Sequence, residues 1–183
     1  MNVKVYLVPF DSGMAQVVRA WRNDWRVWRW CRQKDLISDV EQAEWFKRQH
    51  EDPTIKMYGI AAGNDEKPPE DGKLVGVAGF TSIDHFNRRA EFSLYINPAR
   101  HGMKLGQGAL RVLLGHGFEN LGFNTIYGET FDGNPAAMMF EKLGLVKEGT
   151  RRQHYWKDGK FIDAHLYSLT RDEWCTMIAA SRL

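Results

Sequence analysis

The sequence predicts an α/β fold: a single domain, residues 1–183, built on a mixed sheet. Three observations predict it. Strand-like and helix-like segments alternate through the second half of the chain. Residues 90–131 read as strand, helix, strand, a unit that joins parallel neighbours through a right-handed crossover. A length of 183 residues with 43% hydrophobic content suffices for one buried core.

Taken in order, Val3 to Phe10 alternates apolar and polar residues as a first strand and lacks the apolar run of a signal peptide. Two helical stretches follow. The second opens on Ser38-Asp39-Val40-Glu41, a capping box in which Ser38 and Glu41 satisfy each other's backbone N–H groups. Lys56 to Ala62 reads as a strand, Asn64 to Gly72 as a solvated hairpin loop, and Lys73 to Ile83 as the next strand. Ala90 to Asn97 is a strand, Leu105 to Leu121 a helix with Gly122 at its C-terminal cap, and Asn124 to Phe131 a strand. Asn134-Pro135 opens another helix, with Asn as N-cap and Pro in the first turn, and Gly144 ends it. Leu145 to Trp156 and Phe161 to Leu169 close the chain as strands, joined at Asp158-Gly159 by a hairpin signal.

Composition excludes several classes. A net charge of +2 is too small to argue for nucleic acid. Cys31 and Cys175 suggest neither a disulfide framework nor a zinc site, and a reducing cytoplasm is the expected compartment. The six histidines show no metal-ligand spacing, no serine-hydrolase elbow occurs, and no stretch is long and apolar enough to span a bilayer. Neither a metal nor a membrane is therefore expected.

The informative segment is Arg100-His101-Gly102-Met103-Lys104-Leu105-Gly106-Gln107-Gly108-Ala109, between a strand and a helix. Small residues there let backbone N–H groups approach a ligand, and the helix dipole favours an anion such as a pyrophosphate. A tight turn that needs glycine gives the same pattern. Neither the Walker A spacing nor the dinucleotide fingerprint is matched.

Two further segments, Glu129 to Ala137 and Phe140 to Gly149, complete a series of motifs with Trp21-Arg22-Asn23-Asp24 and Tyr155 to Asp163. In this order they make the chain resemble the GNAT superfamily of acetyltransferases, in particular the branch of ribosomal-protein N-terminal and sugar-amine acetyltransferases. The resemblance implies a mostly antiparallel central sheet of about seven strands, about four helices, and two central parallel strands that splay apart. It implies acetyl-CoA as cosubstrate, its pyrophosphate on His101, Gly102, Met103, Lys104, Leu105 and Gly106 and on the helix-start amides of Gln107 and Gly108. Lys104 stands where the family usually has glycine. The pantetheine arm would lie between Glu91–Asn97 and Asn124–Phe131, with Leu94, Tyr95 and Ile96 offering backbone groups. Asn134 matches a residue that often bonds the pantetheine or a nearby water, and is equally a plain helix N-cap. Phe140 occupies the position of the tyrosine that serves many members as acid toward the thiolate, so the group that protonates the thiolate, if any does, is open among Tyr127, His154 and Tyr155.

The implied reaction is direct attack of a neutral amine on the thioester in a ternary complex. Holding both reactants together supplies much of the rate. Glu91, on the strand lining the cleft, is the candidate base through a water, and a backbone N–H near Tyr95 or Ile96 the candidate oxyanion donor. A surface or salt-bridged glutamate is the competing reading of Glu91.

Arg19, Arg22, Arg26, Arg29 and Arg32 recur at helical spacing beside Trp21, Trp25 and Trp28. One reading is a solvated basic face beside core tryptophans. The other is an acceptor site, with Trp21, Arg22, Trp25 and Arg26 holding an anionic molecule such as a nucleotide-linked amino sugar. A break at Asn23-Asp24 would spoil the stripe. The expected partner is thus a small-molecule amine or, alternatively, a protein N-terminus, bound by a monomer or homodimer. An acid-lined groove open at both ends favours the peptide. A closed basic pocket favours the sugar nucleotide. CoA binding without turnover would mark a non-catalytic acyl-CoA-binding module, and affinity falling steeply with salt a nucleic-acid binder.

Overall fold

A computed structural model describes residues 3–63 and 74–180. Seven strands form one sheet: β1 (Lys4–Pro9), β2 (Lys56–Gly63), β3 (Leu74–Asp84), β4 (Arg89–Ile96), β5 (Thr125–Phe131), β6 (Val146–Lys157) and β7 (Lys160–Thr170). Their order across the sheet is β1-β2-β3-β4-β5-β7-β6, and only β4 and β5 pair in parallel. The described helices are α1 (Ser12–Asn23), α2 (Trp25–Trp28), α3 (Asp39–Glu51), α4 (Leu105–Gly115), α5 (Ala136–Lys142) and α6 (Arg171–Ala180). The mixed, mostly antiparallel sheet expected from the sequence is the one observed. The solvated hairpin loop expected over Asn64 to Gly72 lies outside the described residues.

Local chemistry explains most boundaries. Ser38 and Glu41 form the capping box at α3. At the β6–β7 hairpin, Asp158 and Gly159 have φ of 49° and 77°, the paired positive values of a type I′ turn. The first helical stretch breaks at Asp24, whose extended backbone ends α1 while its carboxylate caps α2 by accepting the Arg26 N–H. Beyond Gly115, α4 widens into a π turn, His116–Asn120, and so reaches the expected end near Leu121. The expectation of about four helices fell short of the six described, because that break makes two helices of one and because α6 was not anticipated.

The sheet is packed on both faces. On one, Ala109, Leu110, Leu113 and Leu114 of α4 bury against Phe80, Ala90 and Ile126, joined by Phe140 and Trp174. On the other, Val18 and Trp21 of α1 and Phe10 meet Val77, with Trp45 and Phe46 of α3 packed against them. These layers hold the middle strands rigid, so a gap between two of them persists as a cleft.

Candidate active site

That gap lies between β4 and β5. Their parallel pairing runs only through Arg89–Thr125, Ala90–Ile126 and Glu91–Tyr127, after which the strands part. Phe92 wedges the split. Its ring lies so close over Gly128 that a Cβ there would sit 2.5 Å from it, which is why glycine is needed at that position. A cleft of about 870 Å³ opens at the split.

The register decides which β4 amides face it. The Asn97 N–H bonds the Val75 carbonyl, so the opposed pairs Tyr95–Val77 and Ser93–Gly79 are the hydrogen-bonded ones of the antiparallel ladder. The Tyr95 N–H is therefore turned toward β3, and those of Leu94 and Ile96 toward the split. Burial pushes the Tyr95 phenol up to about 12, so it stays protonated. The Ile96 carbonyl is taken by His101 Nε2 at 3.1 Å.

One half of the cleft is built from backbone. α1, α2 and α3 are capped by Asp11, Asp24 and Ser38, whereas α4 begins with no side-chain cap, after Lys104 in the left-handed region at φ 58°. The first N–H groups of a helix have no intrahelical partner and carry its positive dipole end, so uncapped they suit an anion. Arg100, Lys104 and Lys142 line the same cleft. A Cβ on Gly106 would already touch Met139 Sδ at 3.4 Å, so a larger side chain there would fill the cradle. Along the split, buried Thr130 lines the cleft with a hydroxyl that has no hydrogen-bond partner. Uncapped amides, cations and an orphan hydroxyl along one channel fit a pyrophosphate with an amide-bearing tail.

His101, Gly102, Lys104, Leu105, Gly106, Gln107, Leu94, Ile96, Asn134 and Phe140 all line the cleft. Met103 and Gly108 do not. Met103 is exposed, and Gly108 packs against Val5, where a Cβ would approach to 2.9 Å. Asn134 accepts the Ala136 N–H at 3.0 Å in the turn before α5, whose N-cap position is Pro135 and not the expected Asn134, while lining the cleft. Phe140 is buried edge-on against Phe92 and Tyr167, with ring centroids at 5.1 and 5.5 Å.

The other half is built from side chains. Glu91 and Glu129 stand on neighbouring strands, both lining the cleft, and Arg32 spans them at 2.7 and 3.4 Å. Glu129 also accepts from Arg151 at 3.1 Å and from the Tyr155 hydroxyl. Burial, and then that bond, pushes the Tyr155 phenol up and keeps it a donor. Neither Tyr127, His154 nor Tyr155 lines the cleft.

The arginine stripe is dispersed. Arg19 pairs with Asp39 at 2.8 Å, Arg26 with Asp24 at 2.7 Å, and Arg29 stacks on Trp25 and Trp30. Arg22 lines the cleft over the rings of Trp45 and Tyr95. Of the four residues expected to hold the acceptor, Arg22 and Arg26 line the cleft, Trp21 is buried in the core and Trp25 is exposed outside it. The break at Asp24 accounts for this, since it turns the second half of the stripe to a new direction.

Sequence reasoning missed Glu129 and Lys157. Glu129 was recoverable: with Glu91 opposite Tyr127, the two-residue period of a strand puts Glu129 on the same face. Lys157 carried no such signal. Its ammonium donates to the carbonyls of Trp28, Cys31 and Gln33 at 2.9–3.1 Å and sits 3.6 Å from the Trp28 ring centroid. Burial pulls its pKa down, and these partners stabilise the charge. It thereby clamps the segment 28–33 that walls the cleft. Burial likewise pushes the Cys31 thiol up, leaving it a poor nucleophile.

Two strands parting beside an uncapped helix start make a cleft that suits an acyl-CoA thioester. Comparison names the family. The acetyltransferase (GNAT) domain model matches residues 4–146, and the chain belongs to that family. It is an acetyl-CoA-dependent N-acetyltransferase. YdaF of Bacillus subtilis (strain 168), named as a ribosomal N-acetyltransferase, is 30% identical over 130 residues, 70% of this chain and 67% of the relative. Spermidine N(1)-acetyltransferase of Escherichia coli (strain K12) is 24% identical over 161 residues, 87% and 82%. The crystal structure of spermidine N-acetyltransferase from Vibrio cholerae in complex with CoA and spermine superposes with a TM-score of 0.86 at 18% identity, over 94% of this chain and 98% of that one. This last likeness concerns the fold. Among the described residues, no group of three or more His, Cys, Asp and Glu side chains converges as a metal site, and no helix is long and apolar enough to cross a membrane.

Proposed function

We propose that the chain acetylates a primary amine of a small cationic molecule, with Glu91 taking the amine proton through a water. One observation carries this reading: Glu91 and Glu129 face the cleft together where β4 and β5 part. Two carboxylates attract an ammonium group and repel a phosphate. Of the arginine and tryptophan set read for a nucleotide-linked amino sugar, only Arg22 and Arg26 line the cleft, and Arg26 is paired with Asp24, which weakens that reading. The spermidine acetyltransferases among the relatives favour the same cationic class. A peptide N-terminus is the second reading, favoured by the likeness to YdaF.

Each residue has a chemical part in this reading. The start of α4, with Lys104 and Arg100, holds the pyrophosphate of acetyl-CoA. The Leu94 and Ile96 amides and Thr130 hold its tail, and a β4 amide facing the split receives the developing oxyanion. Because Glu91 must deprotonate an ammonium, the neutral amine exists only inside the site. Glu91 passes the ammonium proton through the water to solvent before attack and takes the second nitrogen proton as the tetrahedral intermediate collapses. Phe140 offers no proton, so the thiolate departs as such. A free thiol ionises near pH 8.5, which makes its anion a competent leaving group. The free state of Cys31 and Cys175 suits a reducing compartment.

The test is thioester consumption with acetyl-CoA and a panel of diamines, polyamines, amino-sugar nucleotides and peptides with free N-termini. Preferred turnover of diamines or polyamines is the expected result. Turnover of peptides alone supports the second reading, and turnover of sugar nucleotides alone refutes the cationic one.

A further inference from the structure

The pair of carboxylates is not bare. Arg32 spans it, one guanidinium nitrogen 2.7 Å from Glu91 Oε1 and the other 3.4 Å from Glu129 Oε1. This places a cation where the acceptor's ammonium would bind, and on an oxygen atom of the group that would take its proton. Both glutamates are held on rigid middle strands and are largely buried, with side-chain exposures of 11% and 6%. Arg32 is the opposite case: half of its side chain, 50%, is exposed, so it has solvent to swing into.

Its backbone is not free to follow. Lys157 bonds the carbonyls of Trp28, Cys31 and Gln33, on either side of Arg32. The movable part is therefore the side chain alone. Tyr155 and Arg151 stay on Glu129 from the β6 side, so that carboxylate keeps partners when Arg32 leaves.

We infer that Arg32 is a resident cation in the acceptor's ammonium subsite, displaced when a cationic amine binds. This rests on the reading of Glu91 and Glu129 as the acceptor carboxylates. Displacement couples two events: the amine gains its counter-charges, and Glu91 gains a free oxygen with which to act as base. Before the amine arrives, Arg32 keeps Glu91 from serving water. Without that cover, a water held by Glu91 would attack the thioester carbonyl, its proton passing to Glu91. The carbon–sulfur bond would break, and CoA thiolate and acetic acid, which gives its proton to solvent, would leave.

The experiment uses the full chain with CoA bound and titrates 1,4-diaminobutane calorimetrically into wild type, R32Q and the double variant E91Q/E129Q. Release of CoA from acetyl-CoA without any amine is followed in parallel. Replacing Arg32 removes a competitor whose half-exposed guanidinium is partly screened by solvent. Diamine affinity should therefore rise about fivefold in R32Q, and amine-independent CoA release should rise severalfold. Diamine affinity unchanged within about twofold makes Arg32 a surface ion pair. Affinity weakened about tenfold makes it a direct acceptor contact. Either result overturns the proposal. The double variant separates this from the underlying reading: if it binds diamine as well as wild type does, the glutamates are not the ammonium subsite, whatever R32Q shows. Absence of diamine binding to both wild type and R32Q overturns both claims.

Discussion

The two halves of the cleft are made of different material. At the α4 end the chemistry is backbone: uncapped amides and two strands turning unbonded groups toward each other. At the β4–β5 acceptor face it is side chain: Arg32, Glu91, Glu129, Tyr155 and Lys157, drawn from four separate parts of the chain. A backbone site depends on where a helix begins and a ladder ends, and tolerates many sequences. A side-chain site changes with a single residue. On the proposed reading, the fold fixes the cosubstrate's place, while the choice of amine rests on a few substitutable groups.

Substitutions should respect that division. The largest effect is expected for E91Q, which keeps shape and removes the proposed base. Turnover should fall about 10²–10⁴-fold, the range of general-base catalysis, with CoA affinity unchanged in a calorimetric titration. Next is G106E, aimed at the backbone half. It places a carboxylate beside the proposed pyrophosphate site, a repulsion of roughly 1–4 kcal/mol at about 4 Å, so CoA should bind about fivefold to several hundredfold more weakly. Unchanged affinity would move the phosphate cradle elsewhere.

K157M probes the support of the side-chain half. Losing hydrogen bonds from a buried charge costs about 1.5–3 kcal/mol, so the melting temperature should drop by roughly 3–10 °C. The acceptor's KM should rise several times more than that of acetyl-CoA, because only the 28–33 wall loosens. Equal rises would show a general loss of structure instead. The smallest effect is expected for R22A/R26A, since Arg26 is spent on Asp24, an exposed carboxylate that it holds down at about 2. The acceptor's KM should change by no more than about twofold. A tenfold rise confined to anionic amines would restore the reading of an anionic acceptor.

The same division explains what the sequence disclosed. The backbone half was legible because backbone sites are marked by punctuation: glycines around Gly106, the Asn134-Pro135 start and the strand–helix–strand order. Even there, Met103 and Gly108, implied by the family resemblance as part of the pyrophosphate loop, lie off the cleft, one exposed and the other packed on Val5. The Tyr95 amide needed the β3–β4 register before its direction was known. The side-chain half was mostly hidden. Arginine spacing suggested one face, but Asp24 turns the helix, and the arginines go to different partners. Lys157 bonds carbonyls 124–129 positions away, a relation that no local pattern encodes.

The independence of the halves is tested most directly by titrating CoA calorimetrically into wild type and E91Q/E129Q. Both should bind, with affinities within about twofold, because the cradle at α4 owes nothing to the glutamates. No heat at millimolar CoA with wild type, or binding lost in the double variant, would contradict it.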